Sequence, residues 1–198
     1  MDDSSFFDKI APTWDSNEVL STPKKVNFIL DNMNVQLGQY ILDLGTGTGV
    51  LLPFLAERIG EKGKIMAVDY SSGMLEIARS KYSDLVPAPE FHKLDFEKET
   101  IEGEFDKIIL YCVYPHLHTP IETLKWLLTV NLKKDGEIYI AFPCDSDFIN
   151  NIHKERHSES DLLPSPSCLT ATLRENNLNA EVVKEDKSAY IIKISKQA

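Results

Sequence analysis

The stretch Ile41-Leu42-Asp43-Leu44-Gly45-Thr46-Gly47-Thr48-Gly49 decides the fold. A short apolar run carrying one acid passes into three glycines at alternate positions, and an apolar helical period begins at Val50. That order reads as a buried strand, a sharp turn and a helix. Glycine lets the backbone turn tightly and come close to a ligand without a Cβ in the way. The helix start adds unpaired N–H groups and a partial positive charge, which suit an anion. A tight strand–helix turn that holds no ligand has the same pattern.

Outward from this turn, short β-rich runs alternate with helical periods, the mark of βαβ units on a parallel sheet. Strands are expected at 40–44, 65–69, 90–94, 105–112, 137–142, 180–184 and 189–194, and helices at 50–59, 71–82, 120–130 and 168–177. Asp135-Gly136 reads as a turn before the fifth strand, and Asp186-Lys187-Ser188 as the turn of a final antiparallel pair. The fold class is therefore α/β: a Rossmann-like, seven-stranded, mostly parallel sheet with an antiparallel last strand and helices on both faces. Residues 1–198 are expected to form one domain. Two segments lie outside the alternation, 1–35 and 143–166. Connections of that length are commonly lids or binding loops, and 145–158 has the pattern of an amphipathic helix.

The ligand is narrowed by spacing. The dinucleotide fingerprint G-x-G-x-x-G would need a third glycine at Val50 or Leu52, and neither position has one. The spacing is G-x-G-x-G, with Asp43 just before it. An acid there disfavours a pyrophosphate and favours a cationic group. S-adenosylmethionine carries an ammonium, a carboxylate and a sulfonium.

On these residues the chain resembles the class I S-adenosylmethionine-dependent methyltransferases, whose first motif is D-L-G-T-G-T-G. Further matches follow in order over about 40–142: Val68-Asp69-Tyr70-Ser71, Leu94-Asp95-Phe96, Phe105-Asp106-Lys107-Ile108-Ile109 and Leu132-Lys133-Lys134-Asp135-Gly136-Glu137-Ile138. The resemblance implies S-adenosylmethionine as cofactor and transfer of its methyl group to an acceptor. It places the cofactor on Asp43, Gly45, Thr46, Gly47 and Gly49. It puts the ribose diol on Asp69 beside Tyr70, and the adenine on Asp95 and the Phe96 N–H. Tyr111, at the end of the fourth strand, completes the set. Taken singly, Asp69 and Asp95 also suit helix N-caps. The opening Phe6-Phe7-Asp8-Lys9-Ile10-Ala11-Pro12-Thr13-Trp14-Asp15 is similar to that of quinone-biosynthesis-type methyltransferases, where this segment folds over the cofactor. Trp14 replaces the tyrosine more usual there, and a loose amphipathic helix is the plainer reading. The likeness to that group departs downstream, so a quinone acceptor does not follow from it.

Acceptors in this fold sit at the carboxyl ends of the strands, here Tyr111-Cys112-Val113-Tyr114-Pro115-His116-Leu117-His118. His116 is the candidate general base, since an imidazole titrates near neutral pH. Trp14, Tyr114, His153 and His157 are candidate acceptor contacts. His153 and His157 share one helix face, but H-E-x-x-H is absent and no third ligand is evident, so no metal is assigned. Cys112 and Cys144 end central strands. As thiols they suit a soft metalloid acceptor, as in arsenite methyltransferases, and as small residues they suit burial.

Acidic residues outnumber basic ones 31 to 21, for a net charge of −10. A field of that sign repels phosphate backbones and anionic lipid surfaces. The Asn/Asp-Pro-Pro-aromatic sequence of nucleic-acid amino-methyltransferases is also missing. A small-molecule acceptor is expected, with neither nucleic acid nor membrane as partner. Three widely spaced cysteines without C-x-x-C, and no apolar leader or span, fit a cytoplasmic protein. Two other functions share parts of the pattern: a non-catalytic S-adenosylmethionine-binding protein, and an NAD-dependent oxidoreductase, which the glycine spacing disfavours.

Overall fold

Seven strands build the sheet: β1 (Tyr40–Leu44), β2 (Lys64–Asp69), β3 (Glu90–Lys93), β4 (Phe105–Tyr111), β5 (Leu132–Phe142), β6 (Asn179–Asp186) and β7 (Ala189–Ser195). The computed structural model describes residues 3–17, 21–155 and 162–197. The strand order is β3-β2-β1-β4-β5-β7-β6, with every pairing parallel except those of β7. The chain leaves β1 toward β2 and β3, then returns to place β4 on the other side of β1. The carboxyl ends of β1 and β4 therefore flank the reversal point, where open α/β sheets leave a crevice.

Side-chain alternation assigns two faces. Leu42, Leu44, Ile108, Leu110, Ile138 and Ile140 pack on α5 (Pro120–Trp126) and α7 (Pro166–Glu175) through Leu124, Leu169 and Leu173. Ile41, Ile65, Ala67, Ile109, Tyr139 and Ala141 pack on α2 (Pro23–Asn32) and α3 (Leu52–Ile59). Both faces are dry, which is why the central strands read as continuous apolar runs.

Three details differ from the sequence reading. Within 1–35, α2 is core: Val26, Ile29 and Leu30, with Met33 just beyond, are fully buried. Their i, i+3, i+4, i+7 spacing was visible in the chain. Within 143–166, Cys144, Ile149 and Leu163 are buried too. Asn150, on α6 (Ser146–Glu155), accepts from the Leu163 N–H at 2.7 Å and donates to its carbonyl at 2.9 Å, clamping the two ends of that segment together. Asp135-Gly136 is not a turn but part of β5, which begins at Leu132. The pairing with β4 steps from Phe105↔Leu132 to Lys107↔Glu137, so the extra residues bulge while the strand continues. A Cβ on Gly136 would stand 2.9 Å from the Phe105 carbonyl oxygen, so the glycine serves close approach. Among the described residues no helix is long and apolar enough to cross a membrane.

The first helix, α1 (Asp3–Asn17), lies against α4 (Ser72–Tyr82). Asp8 Oδ1 accepts from Ser71 Oγ at 2.6 Å and from the Gly73 N–H at 2.9 Å. Its charge sits at a helix N-terminus, where an anion is favoured. At the other end of α1, Asp15 accepts from Thr48 Oγ1 at 2.7 Å and pairs with Lys81 at 2.5 Å. The hydrogen bonds from Ser71 and Gly73 hold the Asp8 carboxyl below its usual range. Burial pushes Asp15 up, but Lys81 and Thr48 together outweigh it and bring it down as well. Carboxyls shifted down stabilise the docked helix above their ordinary range near pH 4, and that stability is lost as pH falls through the shifted values. Asp8→Ala should cost the docked helix about 1 kcal/mol, the ordinary value of a cap. Hydrogen exchange would show faster amides in α1 with β1 and β4 unchanged; equal exchange in α1 would mean that Asp8 does not hold it.

Candidate functional site

The crevice predicted by the strand order is a cavity of about 350 Å³. Its floor is the glycine turn. Gly45 and Gly47 have φ of +67° and +56°, the left-handed region that disfavours side chains. A Cβ on Gly45 would lie 2.4 Å from a Val113 methyl, whereas one on Gly47 would meet nothing within 4 Å. Gly45 thus lets the β1 and β4 loops touch, and the open side of Gly47 faces the cavity. Gly49 does not line it. Its Cβ position is 2.8 Å from the Tyr82 ring, so this glycine serves helix packing.

Two buried acids stand behind the turn. Asp69 ends β2 and is 5% exposed. Its Oδ2 accepts from the Gly47 N–H at 2.8 Å and its Oδ1 from the Ser71 N–H at 2.9 Å. Burial raises its pKa, against the pull of those N–H groups. Asp43 is 1% exposed and accepts from Thr46 Oγ1 at 2.7 Å. Burial pushes it up to about 7, with the Asp69 charge acting in the same direction. A cavity with two such acids suits hydroxyl donors and a cation and resists phosphate.

After β3, Asp95 and Phe96 form the next part of the wall. Asp95 is held by the Glu97 N–H at 3.2 Å and by Lys98 at 2.7 Å. Tyr70 and Tyr111 also line the cavity, and Tyr111 shares a 2.9 Å hydrogen bond with Ser21. Part of the remaining wall is aromatic. The Phe7 ring of α1 stands 6.0 Å from Trp14, 5.9 Å from Tyr70 and 5.6 Å from His116. His116 closes a 3₁₀ turn, Tyr114–His116, right after β4. Cys112 precedes that turn with φ of +58°, an uncommon conformation for a side-chain-bearing residue.

Asp43, Gly45, Thr46, Gly47, Asp69 and Tyr70 thus come together with Asp95, Phe96, Tyr111, Trp14 and His116 around one space. Tyr114 does not join them: it is 8% exposed and packs into the core beside Ile149 and Leu163. The His153 side chain and all of His157 lie outside the described residues. Cys112 lines the cavity but Cys144 is buried in the core, so the two thiols do not line it together. Among the described residues no group of three or more His, Cys, Asp or Glu is placed to hold a metal ion. Phe7, Asp15, Val113 and Glu97 were not singled out from the sequence. Glu97 directly follows the Leu94-Asp95-Phe96 motif, the one local signal available for it.

A family model described as "Methyltransferase domain" matches residues 37–194. A demethylmenaquinone methyltransferase of Oceanobacillus iheyensis is 37% identical over 83 residues, 40% of this chain and 35% of that protein. One of Paenarthrobacter aurescens is 34% identical over 144 residues, 70% of this chain and 53% of that protein. The chain thus spans about half, or less, of these curated relatives. Among solved structures, a SAM-dependent methyltransferase from Aquifex aeolicus superposes with a TM-score of 0.71 at 22% identity, covering 88% of this chain and 94% of the other. That likeness speaks for the fold.

An acid whose folded pKa is raised keeps its proton longer when folded. Its contribution to stability is full below about pH 4 and is lost as pH rises to about 7. The melting temperature of the ligand-free protein should therefore fall over that window, and Asp43→Asn should flatten the fall. Identical pH slopes in the two proteins would show that Asp43 is not the group responsible.

Proposed function

The chain belongs to the methyltransferase-domain family, and from that premise we propose that it transfers the methyl group of S-adenosylmethionine to a small-molecule acceptor. The observation that carries the reading is a single cavity lined at once by the glycine turn, the acids after β2 and β3, and the His116 segment. The residues present fit the cofactor. Gly47 leaves open space where a ligand group would approach, and the buried acids Asp69 and Asp43 belong to the same lining. When bound, S-adenosylmethionine supplies an electrophilic methyl group for in-line displacement by an acceptor atom.

The protein's part is to bind, align and dry the site. The Gly45–Gly47 turn with Asp43 would hold the amino-acid end, Asp69 the ribose hydroxyls, and Asp95 with Phe96 the adenine. Phe7, Trp14 and Tyr70 would shield the bound ligand from water, and α1 brings two of them. His116 would accept a proton at its ring when the acceptor atom must lose one. The cavity of about 350 Å³ must hold the cofactor as well as the acceptor, which favours a small acceptor. The aromatic side chains in its wall favour a ring. The relatives' names specify demethylmenaquinone, so naphthoquinones belong in the acceptor panel. Those relatives are matched over only part of their length.

The test is transfer of labelled methyl from S-adenosylmethionine to a panel of small ring compounds, with S-adenosylhomocysteine release measured alongside. The reading expects a labelled product. Cofactor binding with no transfer to any acceptor would point to a binding protein instead. In a folded Asp69→Ala variant, cofactor binding should weaken by about 1.5–3 kcal/mol, the range for hydrogen bonds involving a charged group. His116→Asn should lower turnover by about 10²–10⁴-fold with cofactor affinity kept; full turnover in that variant would leave alignment alone as its role.

A further inference from the structure

Glu97 connects the two halves of the site. Its side chain is 12% exposed and forms part of the cavity wall. Oε1 accepts from the Thr119 N–H at 2.7 Å and from Thr119 Oγ1 at 3.0 Å. Oε2 accepts from the His118 N–H at 3.0 Å and lies 3.2 Å from His118 Nδ1. Burial opposes its charge, but the N–H groups of Thr119 and His118 outweigh burial and hold the carboxyl below its usual range. The Glu97 main-chain N–H, in turn, donates to Asp95 Oδ1 at 3.2 Å.

A continuous path of hydrogen bonds therefore runs from the Asp95 carboxylate, through Glu97, to the end of the segment that carries His116. Within the segment, the His116 N–H to Val113 O at 2.9 Å and the Leu117 N–H to Tyr114 O at 3.2 Å close the 3₁₀ turn. The Thr119 side chain makes no cap for α5. Glu97 instead takes the N–H groups of His118 and Thr119, just before that helix, which lie 21 and 22 residues away in sequence. A cap needed only for stability requires no link to Asp95. A glutamine at 97 has one acceptor oxygen and would turn its NH₂ toward a donor, so it serves only half of the arrangement.

We infer that Glu97 is a positioning residue: it transmits occupancy of the Asp95 side of the cavity to the His116 segment, so that cofactor binding sets the acceptor wall. The inference rests on the methyltransferase reading of the cavity. It implies that the acceptor wall is tighter in the cofactor-bound protein than in the ligand-free one.

The test is hydrogen exchange of the full-length protein with and without S-adenosylhomocysteine, read on the amides of 113–121. In the unaltered protein the ligand should slow their exchange by about 5-fold or more, the lower end of ordinary coupling between sites. Glu97→Ala and Glu97→Gln, compared at saturating ligand, should lose that ligand-dependent slowing. Thr119→Asp, added to Glu97→Ala, supplies α5 with a cap of its own. It should restore melting temperature without restoring the ligand-dependent slowing. If Thr119→Asp restores both, or if Glu97→Ala keeps the slowing, Glu97 is a plain cap and the inference is overturned. It is overturned equally if the ligand binds the unaltered protein and leaves 113–121 unchanged. Failure of S-adenosylhomocysteine to bind at all would remove the methyltransferase reading and this inference together.

Discussion

The Asp69 carboxylate ties three parts of the chain to one point. One oxygen takes the Gly47 N–H of the turn after β1, and the other takes the Ser71 N–H at the start of α4. Ser71 Oγ then caps α4 by accepting from the Met74 N–H at 3.1 Å, and donates to Asp8 of α1. The glycine turn, the α4 N-terminus and the covering helix are thus in register with one buried acid. An apolar side chain would leave the Gly47 and Ser71 donors without that acceptor, and an unmet buried donor is more costly than the bond it replaces is strong.

That arrangement carries an electrostatic cost. Asp43 and Asp69 are both nearly dry; beyond burial, the Asp69 charge raises Asp43, and the Asp8 charge raises Asp69. The protein offsets part of this with N–H groups and the Thr46 hydroxyl, and leaves part unrelieved. A ligand bringing an ammonium and ribose hydroxyls would relieve the remainder, so binding energy is already built into the ligand-free site. A pyrophosphate would aggravate it. The same logic separates this turn from the dinucleotide fingerprint, which places no acid where Asp43 stands.

Much of this was legible in the chain because its signals are local. Three glycines spaced by two, after an apolar run and before a helical period, mark the turn. Apolar runs mark strands that are dry on both faces. The β6–β7 hairpin shows in Asp186-Lys187-Ser188. Other features depend on distant partners. Gly136 looks like a turn residue until Phe105 is seen beside it, and Tyr114 looks like a cavity residue until the core around Ile149 is in place. Asp8, Asp15 and Glu97 are ordinary surface acids by local pattern. Their roles come from Ser71, Thr48 and Thr119, which the fold alone brings near. The α2 stripe was readable by period but overshadowed by the length of the segment before β1.

The central claim is that this turn is built for a sulfonium cofactor rather than a dinucleotide. Isothermal titration of the ligand-free protein with S-adenosylmethionine, S-adenosylhomocysteine and NAD tests it most directly. Saturable one-to-one binding of the first two, with no heat from NAD beyond dilution, is the predicted result. Saturable binding of NAD with none of either sulfur ligand would contradict the account.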